Sequence, residues 1–318
     1  MNSTVPQLTA YERAVLVTLA YTDQFSHPLT FDELCARCLR LELSDTEVSM
    51  LKVRHALKHL ITLKIVQSKD QLGETFYFLV GRSALVSLRE ERASIGIAKQ
   101  QEINVLLNFL KRIPSVQAVF LTGSQAMNSA DACSDIDFMI VTSPKRLWLT
   151  RILVSMFAQL KGKRRSWNNE EEGSWCFNLW LDTQHLQVVP AKQDSYRAYE
   201  VYQAQELWSK QGVGQLFFQA NSWISRYFFV QLDDPVKQLP VNDADQRSLI
   251  DLADWLAWKL QSLYMKRHQT TEQVGRGFAF FHPRDTGRMI KDGWLTSLSH
   301  CLPKDEAARI LQPYVRTE

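Results

Sequence analysis

The stretch VFLTGSQAMNSADACSDIDFMIVT, residues 119–142, sets Gly123-Ser124 at the end of an apolar run. After ten intervening residues, Asp135-Ile136-Asp137 opens a second run. Side chains of an extended strand alternate sides, so Asp135 and Asp137 share one face while Ile136, Phe138 and Ile140 share the other. The apolar face packs inward, which presents the two carboxylates together at an edge. Mg²⁺ binds through one or two carboxylates together with substrate phosphates, so the pair suits that ion. Gly123 permits a close backbone approach and unusual dihedrals. The helix start that follows offers unpaired N–H groups to an anion, and Ser124 adds a hydroxyl donor. The pattern predicts a seat for the β- and γ-phosphates of an NTP at Gly123 and Ser124, with a divalent metal at Asp135 and Asp137.

Gly-Ser, ten residues, then Asp-x-Asp between two strands resembles the signature of the polymerase-β nucleotidyltransferase superfamily. The resemblance implies a two-metal mechanism, in which one ion activates the acceptor oxygen and the other holds the triphosphate and leaving pyrophosphate. It implies Mg²⁺ or Mn²⁺ as cofactor, ATP or another NTP as substrate, a nucleotide-binding role for Gly123 and Ser124, and a metal-binding, catalytic role for Asp135 and Asp137. Through FLTGSQAMNSA, LWLTR and CFNLWLD, the wider chain is similar to bacterial and archaeal nucleotidyltransferase-domain proteins with an N-terminal winged helix. The family adds a third carboxylate from a later strand. In WCFNLWLD, alternation puts Asn178, Trp180 and Asp182 on one face. Either Asp182 completes the site, or Asn178 takes that place and leaves the site one acid short. An amide ligates more weakly than a carboxylate and cannot serve as a general base.

These residues require strands, and the flanking sequence predicts an α+β chain. Residues 1–82 read as a winged helix-turn-helix: a helix near Tyr11 to Tyr21, a second after the capping box of Thr30 and Glu33, and a third from Ser44 to Leu63 opened by Ser44 and Glu47. A hairpin turning between Lys69 and Gly73 completes the module. Residues 83–112 read as a connecting helix. Residues 113–192 hold the strands of a small nucleotidyltransferase α/β core with a helix between Lys145 and Lys161, and residues 193–318 read as a helical C-terminal domain forming the other wall of the cleft.

The net charge of +3, from 37 basic and 34 acidic residues, does not by itself announce a nucleic-acid binder. Local clusters keep RNA or DNA contact open. Lys52 and Lys58 lie on the third predicted helix, and Lys163, Arg164 and Arg165 in QLKGKRRSW form the densest basic run. Cys35 and Cys38 lack a second ligand pair and are expected to pack rather than bind metal. The odd count of five cysteines and a start without an apolar core point to a cytoplasmic protein. The most apolar stretches are broken by Arg151 and by Gln219, Asn221 and Arg226, so no membrane partner is expected. The leading expectation is an enzyme that moves an NMP from an NTP to a hydroxyl of RNA, protein or a small molecule. The alternatives are a non-catalytic nucleotide-sensing or DNA-binding regulator and an antitoxin-like enzyme that nucleotidylates a partner protein.

Overall fold

Thr9 starts the first helix with a reciprocal cap, its N–H donating to Glu12 Oε2 at 2.8 Å while the Glu12 N–H donates to Thr9 Oγ1 at 3.3 Å. Helix α1 (Ala10–Asp23) follows, in a computed structural model that describes residues 7–164, 173–230, 249–266, 273–281 and 286–315. Next come β1 (Leu29–Thr30), α2 (Phe31–Arg37), α3 (Met50–Thr62), β2 (Val66–Gln71) and β3 (Glu74–Leu79). The expected box of Thr30 and Glu33 caps α2. Helix α3 starts later than Ser44 because Ser49 is its N-cap, accepting from the Lys52 N–H, while the Tyr11 hydroxyl accepts from the Ser49 N–H at 3.3 Å and holds the approach extended. Strands β2 and β3 pair up to Gln71 and Glu74, so the turn narrows to Leu72-Gly73, both at positive φ, as a two-residue hairpin requires. Strand β1 adds to the far side of β3, giving a three-stranded sheet in the order β1-β3-β2.

The long helix α4 (Ala84–Leu110) leads into the second sheet. Its elements are β4 (Val116–Thr122), the single turn α5 (Gly123–Ala126), β5 (Ile136–Thr142), α6 (Leu147–Leu160) and β6 (Trp175–Asp182). Strands β5 and β6 run parallel with α6 crossing between them, whereas β4 and β5 are antiparallel. One face carries Val119, Leu121, Ile136, Phe138, Ile140 and Trp180 against apolar residues of α4 and α6. The other face carries Phe120, Met139, Val141 and Leu181.

The C-terminal third is mostly helical, but its elements are shared out rather than gathered on one side of a cleft. After α7 (Ser195–Gln203) come β7 (Gln205–Ser209), α8 (Val213–Ala220), α9 (Leu249–Lys266), β8 (Gln273–Val274), β9 (Phe278–Phe280), α10 (Thr286–Ser299) and α11 (Lys304–Val315). Three short strands extend the second sheet to the order β7-β4-β5-β6-β9-β8. Helix α9 packs on α6, where Asp254 accepts from the Leu149 N–H at 2.9 Å. Helices α10 and α11 return to α1. There the fully buried Trp294 donates from Nε1 to the Val17 carbonyl at 2.9 Å and meets the Tyr21 ring edge-on at 5.0 Å. Tyr21 in turn stacks on Tyr199 of α7, so one aromatic cluster joins the N-terminal module, α7 and the C-terminal helices. Among the described residues no helix is long and apolar enough to cross a membrane.

Because Trp294 fills that junction and satisfies a backbone carbonyl, Trp294→Ala is expected to cost roughly 3–5 kcal/mol. Urea unfolding followed by circular dichroism measures it, and a loss within experimental error would show that the junction adds little to stability.

Candidate active site

The register of β4 on β5 sets Thr122 opposite Asp137, so the next residue, Gly123, turns directly against the Asp137 side chain. Gly123 has φ of +64°, and a Cβ placed there would overlap the carboxylate, lying 3.0 Å from Asp137 Cγ. Only glycine fits both the dihedral and the approach. The adjacent Ser124 opens the single turn of α5, and its carbonyl accepts from the Ser129 N–H at 2.9 Å, curling the following loop back on itself. Asp135 lies one residue before β5, where its Oδ1 accepts from the Ser174 N–H at 3.1 Å. Both acids are partly buried at the same end of the sheet.

Asn178 and Asp182 do not share a face. Asp137 is registered with Cys176 and Met139 with Leu179, so β6 carries one residue more than β5 across this interval, which is a β-bulge. Phe177 and Trp180 therefore pack on the same apolar face, and the Trp180 Nε1–H donates to the Phe177 carbonyl at 3.1 Å. Asn178 is turned to the opposite face, where its Nδ2 donates to Asp137 Oδ1 at 2.8 Å and its Oδ1 accepts from the Cys176 thiol at 2.9 Å. Asp182 is registered with Thr142 at the far end of β5. Its buried carboxylate there accepts from the Gln184 N–H at 3.0 Å and lies 2.6 Å from His185 Nδ1.

A family model described as the nucleotidyltransferase domain matches residues 103–192, from the last turns of α4 to the loop after β6. Residues 103–192 are thereby similar to a nucleotidyltransferase domain. The matched span contains Gly123, Ser124, Asp135, Asp137, Asn178 and Asp182. No curated protein and no solved structure matches the chain.

Two charged residues outside the matched span approach the acidic edge, and neither was expected from its local sequence. Lys99 of α4 is buried and donates from Nζ to the carbonyls of Asp131 and Ser134, pinning the loop that delivers Asp135. Burial lowers its pKa, while Asp131, Glu102 and Asp135 pull the other way. Glu200 of α7 is partly buried, and its carboxyl is pushed up to about 7 by burial first and by the negative charge of Asp137 second, with Arg197 opposing.

The basic residues are less available than their number implies. Lys52 is paired with Asp45 at 2.8 Å and lies over the Tyr11 ring, whereas Lys58 is exposed. Lys163 is paired with Glu102 at 2.8 Å, and its carbonyl accepts from the Trp175 N–H at 2.7 Å. Arg164 is exposed beside it, and Arg165 lies outside the described residues. Cys35 and Cys38 are buried in the core with free thiols. Among the described residues no three or more His, Cys, Asp or Glu side chains gather to hold a metal ion.

Gly123→Ala is expected to destabilise the fold by roughly 1–2 kcal/mol from the dihedral alone and to displace Asp137; chemical denaturation checks the first effect, and unchanged stability would contradict the contact. Glu200 gives a pH signature. The folded chain holds a proton that an ordinary glutamate releases near 4.5 and Glu200 releases near 7, so stability falls as pH rises across that window and stays low above it. Replacing Glu200 by Gln should therefore add on the order of 1–3 kcal/mol at pH 8 and little at pH 4. Equal effects in urea melts at both pH values would refute the shift.

Proposed function

We propose that the chain transfers an NMP from an NTP to an acceptor hydroxyl, with the phosphates on the Gly123-Ser124 turn and a divalent ion on Asp135 and Asp137. The observation that carries the reading is the packing of the Asp137 carboxylate against the side-chain-free Gly123, since it brings a metal-ligating group to the turn that would seat the phosphates. The donor set fits one Mg²⁺ or Mn²⁺ ion bound through two carboxylates and completed by phosphate oxygens. Bound there, the ion would neutralise charge on the triphosphate and on the departing pyrophosphate. Gly123 admits the phosphates to the backbone, Ser124 donates a hydroxyl hydrogen bond, and Asn178 holds Asp137 in place through its amide.

Asn178 favours a second reading, a non-catalytic nucleotide-sensing regulator. Its amide stands beside Asp137 where a third acid would otherwise help hold a second ion. The domain limits proposed with this function are a winged helix-turn-helix over 1–82, a connecting helix over 83–112, the transferase core over 113–192 and a helical region over 193–318. The three N-terminal helices with their antiparallel hairpin support the first of these. The ion pairing of Lys52 with Asp45 weighs against a strong grip on nucleic-acid phosphates.

Incubation of the protein with each α-labelled NTP, Mg²⁺ or Mn²⁺, and total RNA, protein and metabolite fractions tests the leading reading. Wild type should label one fraction, and Asp137→Asn should abolish labelling while remaining folded. Asn178→Asp exchanges a hydrogen-bond donor for a third acid, so it should lower the melting temperature of the metal-free protein and raise both the stabilisation by Mn²⁺ and the turnover. Metal-dependent NTP binding with no label transfer in wild type or Asn178→Asp would establish the regulator.

A further inference from the structure

A cavity of about 550 Å³ opens on the Asp137 face of the sheet, floored by Met139, Leu179, Leu181 and Phe280 and walled by Val201 and Phe217. Its volume is that of a small-molecule site, for which about 300–1,000 Å³ is usual. Its place in the strand order is informative. The phosphate turn leaves the end of β4, which contributes only Thr122 to the lining, whereas most of the cavity floor belongs to β5, the strand of Asp137, and to β6, β9 and β8 beyond it. Phosphoryl transfer is in line, with the attacking oxygen opposite the departing pyrophosphate. A nucleotide with its pyrophosphate on Gly123-Ser124 would therefore turn its α-phosphorus towards this cavity.

The charged groups of the lining differ in their occupation. Arg197 is paired with Asp194 at 2.9 Å, and Lys192 with Gln273. Glu200 lines the same wall, and its carboxylate makes no hydrogen bond or ion pair among the described residues. A half-buried acceptor without a partner is costly unless a ligand supplies the donor. An apolar floor with one unpaired carboxylate in the wall fits a molecule with an apolar body and a hydroxyl.

Building on the transferase reading above, we propose that this cavity is the acceptor pocket and that the acceptor is a small apolar-bodied alcohol whose hydroxyl donates to Glu200. In the transfer, the alcohol oxygen bonds to the α-phosphorus of the NTP as the bond from that phosphorus to the β-bridging oxygen breaks. Pyrophosphate departs with that oxygen, and the hydroxyl proton passes to the Glu200 carboxylate. Val189, a lining residue that is also solvent-exposed, stands where the cavity opens to solvent.

Fluorescence titration of the full chain with 1-naphthol and with naphthalene, with and without ATP and Mg²⁺, tests the assignment. The hydroxyl should make 1-naphthol bind about tenfold more tightly than naphthalene. Glu200→Leu should erase that difference, and Val189→Trp, at a solvent-exposed position that leaves the core untouched, should block both probes. ATP with Mg²⁺ should bind alongside 1-naphthol without displacing it. Absence of probe binding, binding indifferent to both variants, or competitive displacement by ATP would each overturn the acceptor pocket, as would label transfer confined to RNA or protein. Failure of ATP to bind while 1-naphthol still binds would instead overturn the transferase reading on which the pocket rests.

Discussion

The site depends on how closely Asp137 is packed. Its carboxylate has Gly123 on the β4 side, where any side chain would collide with it, and the Asn178 amide on the β6 side at 2.8 Å. Each neighbour is set by strand register: Thr122 opposite Asp137 on β4, and the β6 bulge that turns Asn178 inward. The sheet thus fixes an acid, a bare stretch of backbone and an amide within one another's reach, and the helices on its two faces hold the register.

That arrangement concentrates negative charge, and two groups from elsewhere in the chain bear on it in opposite senses. Lys99 ties down the loop before Asp135 from α4, and Glu200 approaches from α7 as a carboxyl held partly protonated near neutral pH by burial and by Asp137. A site that carries such unfavourable electrostatics when empty is stabilised by whatever brings positive charge or a hydrogen-bond donor to it. Binding and stability are coupled there for that reason.

The glycine turn after β4 and the two acids at the start of β5 were legible in the sequence because both rest on local geometry, a glycine at a strand end and two acids two residues apart. The strands, the connecting helix and the capping box at Thr30 followed from periodicity and cap chemistry in the same way. Asn178 and Asp182 were beyond that reasoning because strict alternation fails at a bulge. Aromatic residues at 175, 177 and 180, spaced by two and then by three, were the only local trace of it. The start of α3 shifted from Ser44 to Met50 because a tertiary contact, Tyr11 to Ser49, chose between two competing caps. Glu200 and Lys99 carry no local signal, since each reaches the site only through the packing of α7 and α4, and the short strands β7, β8 and β9 are too brief to show a period.

In the proposed site, Asp135 and Asp137 together hold a metal ion whose coordination nucleotide phosphates complete. Electron paramagnetic resonance of Mn²⁺ titrated into the protein with α,β-methylene-ATP, an analogue that cannot release pyrophosphate, reads it directly. One tightly bound Mn²⁺ is expected that requires both the nucleotide and the two acids, lost when Asp135 and Asp137 are replaced together by Asn. Equally tight Mn²⁺ binding in that double variant, or in wild type without nucleotide, would contradict it.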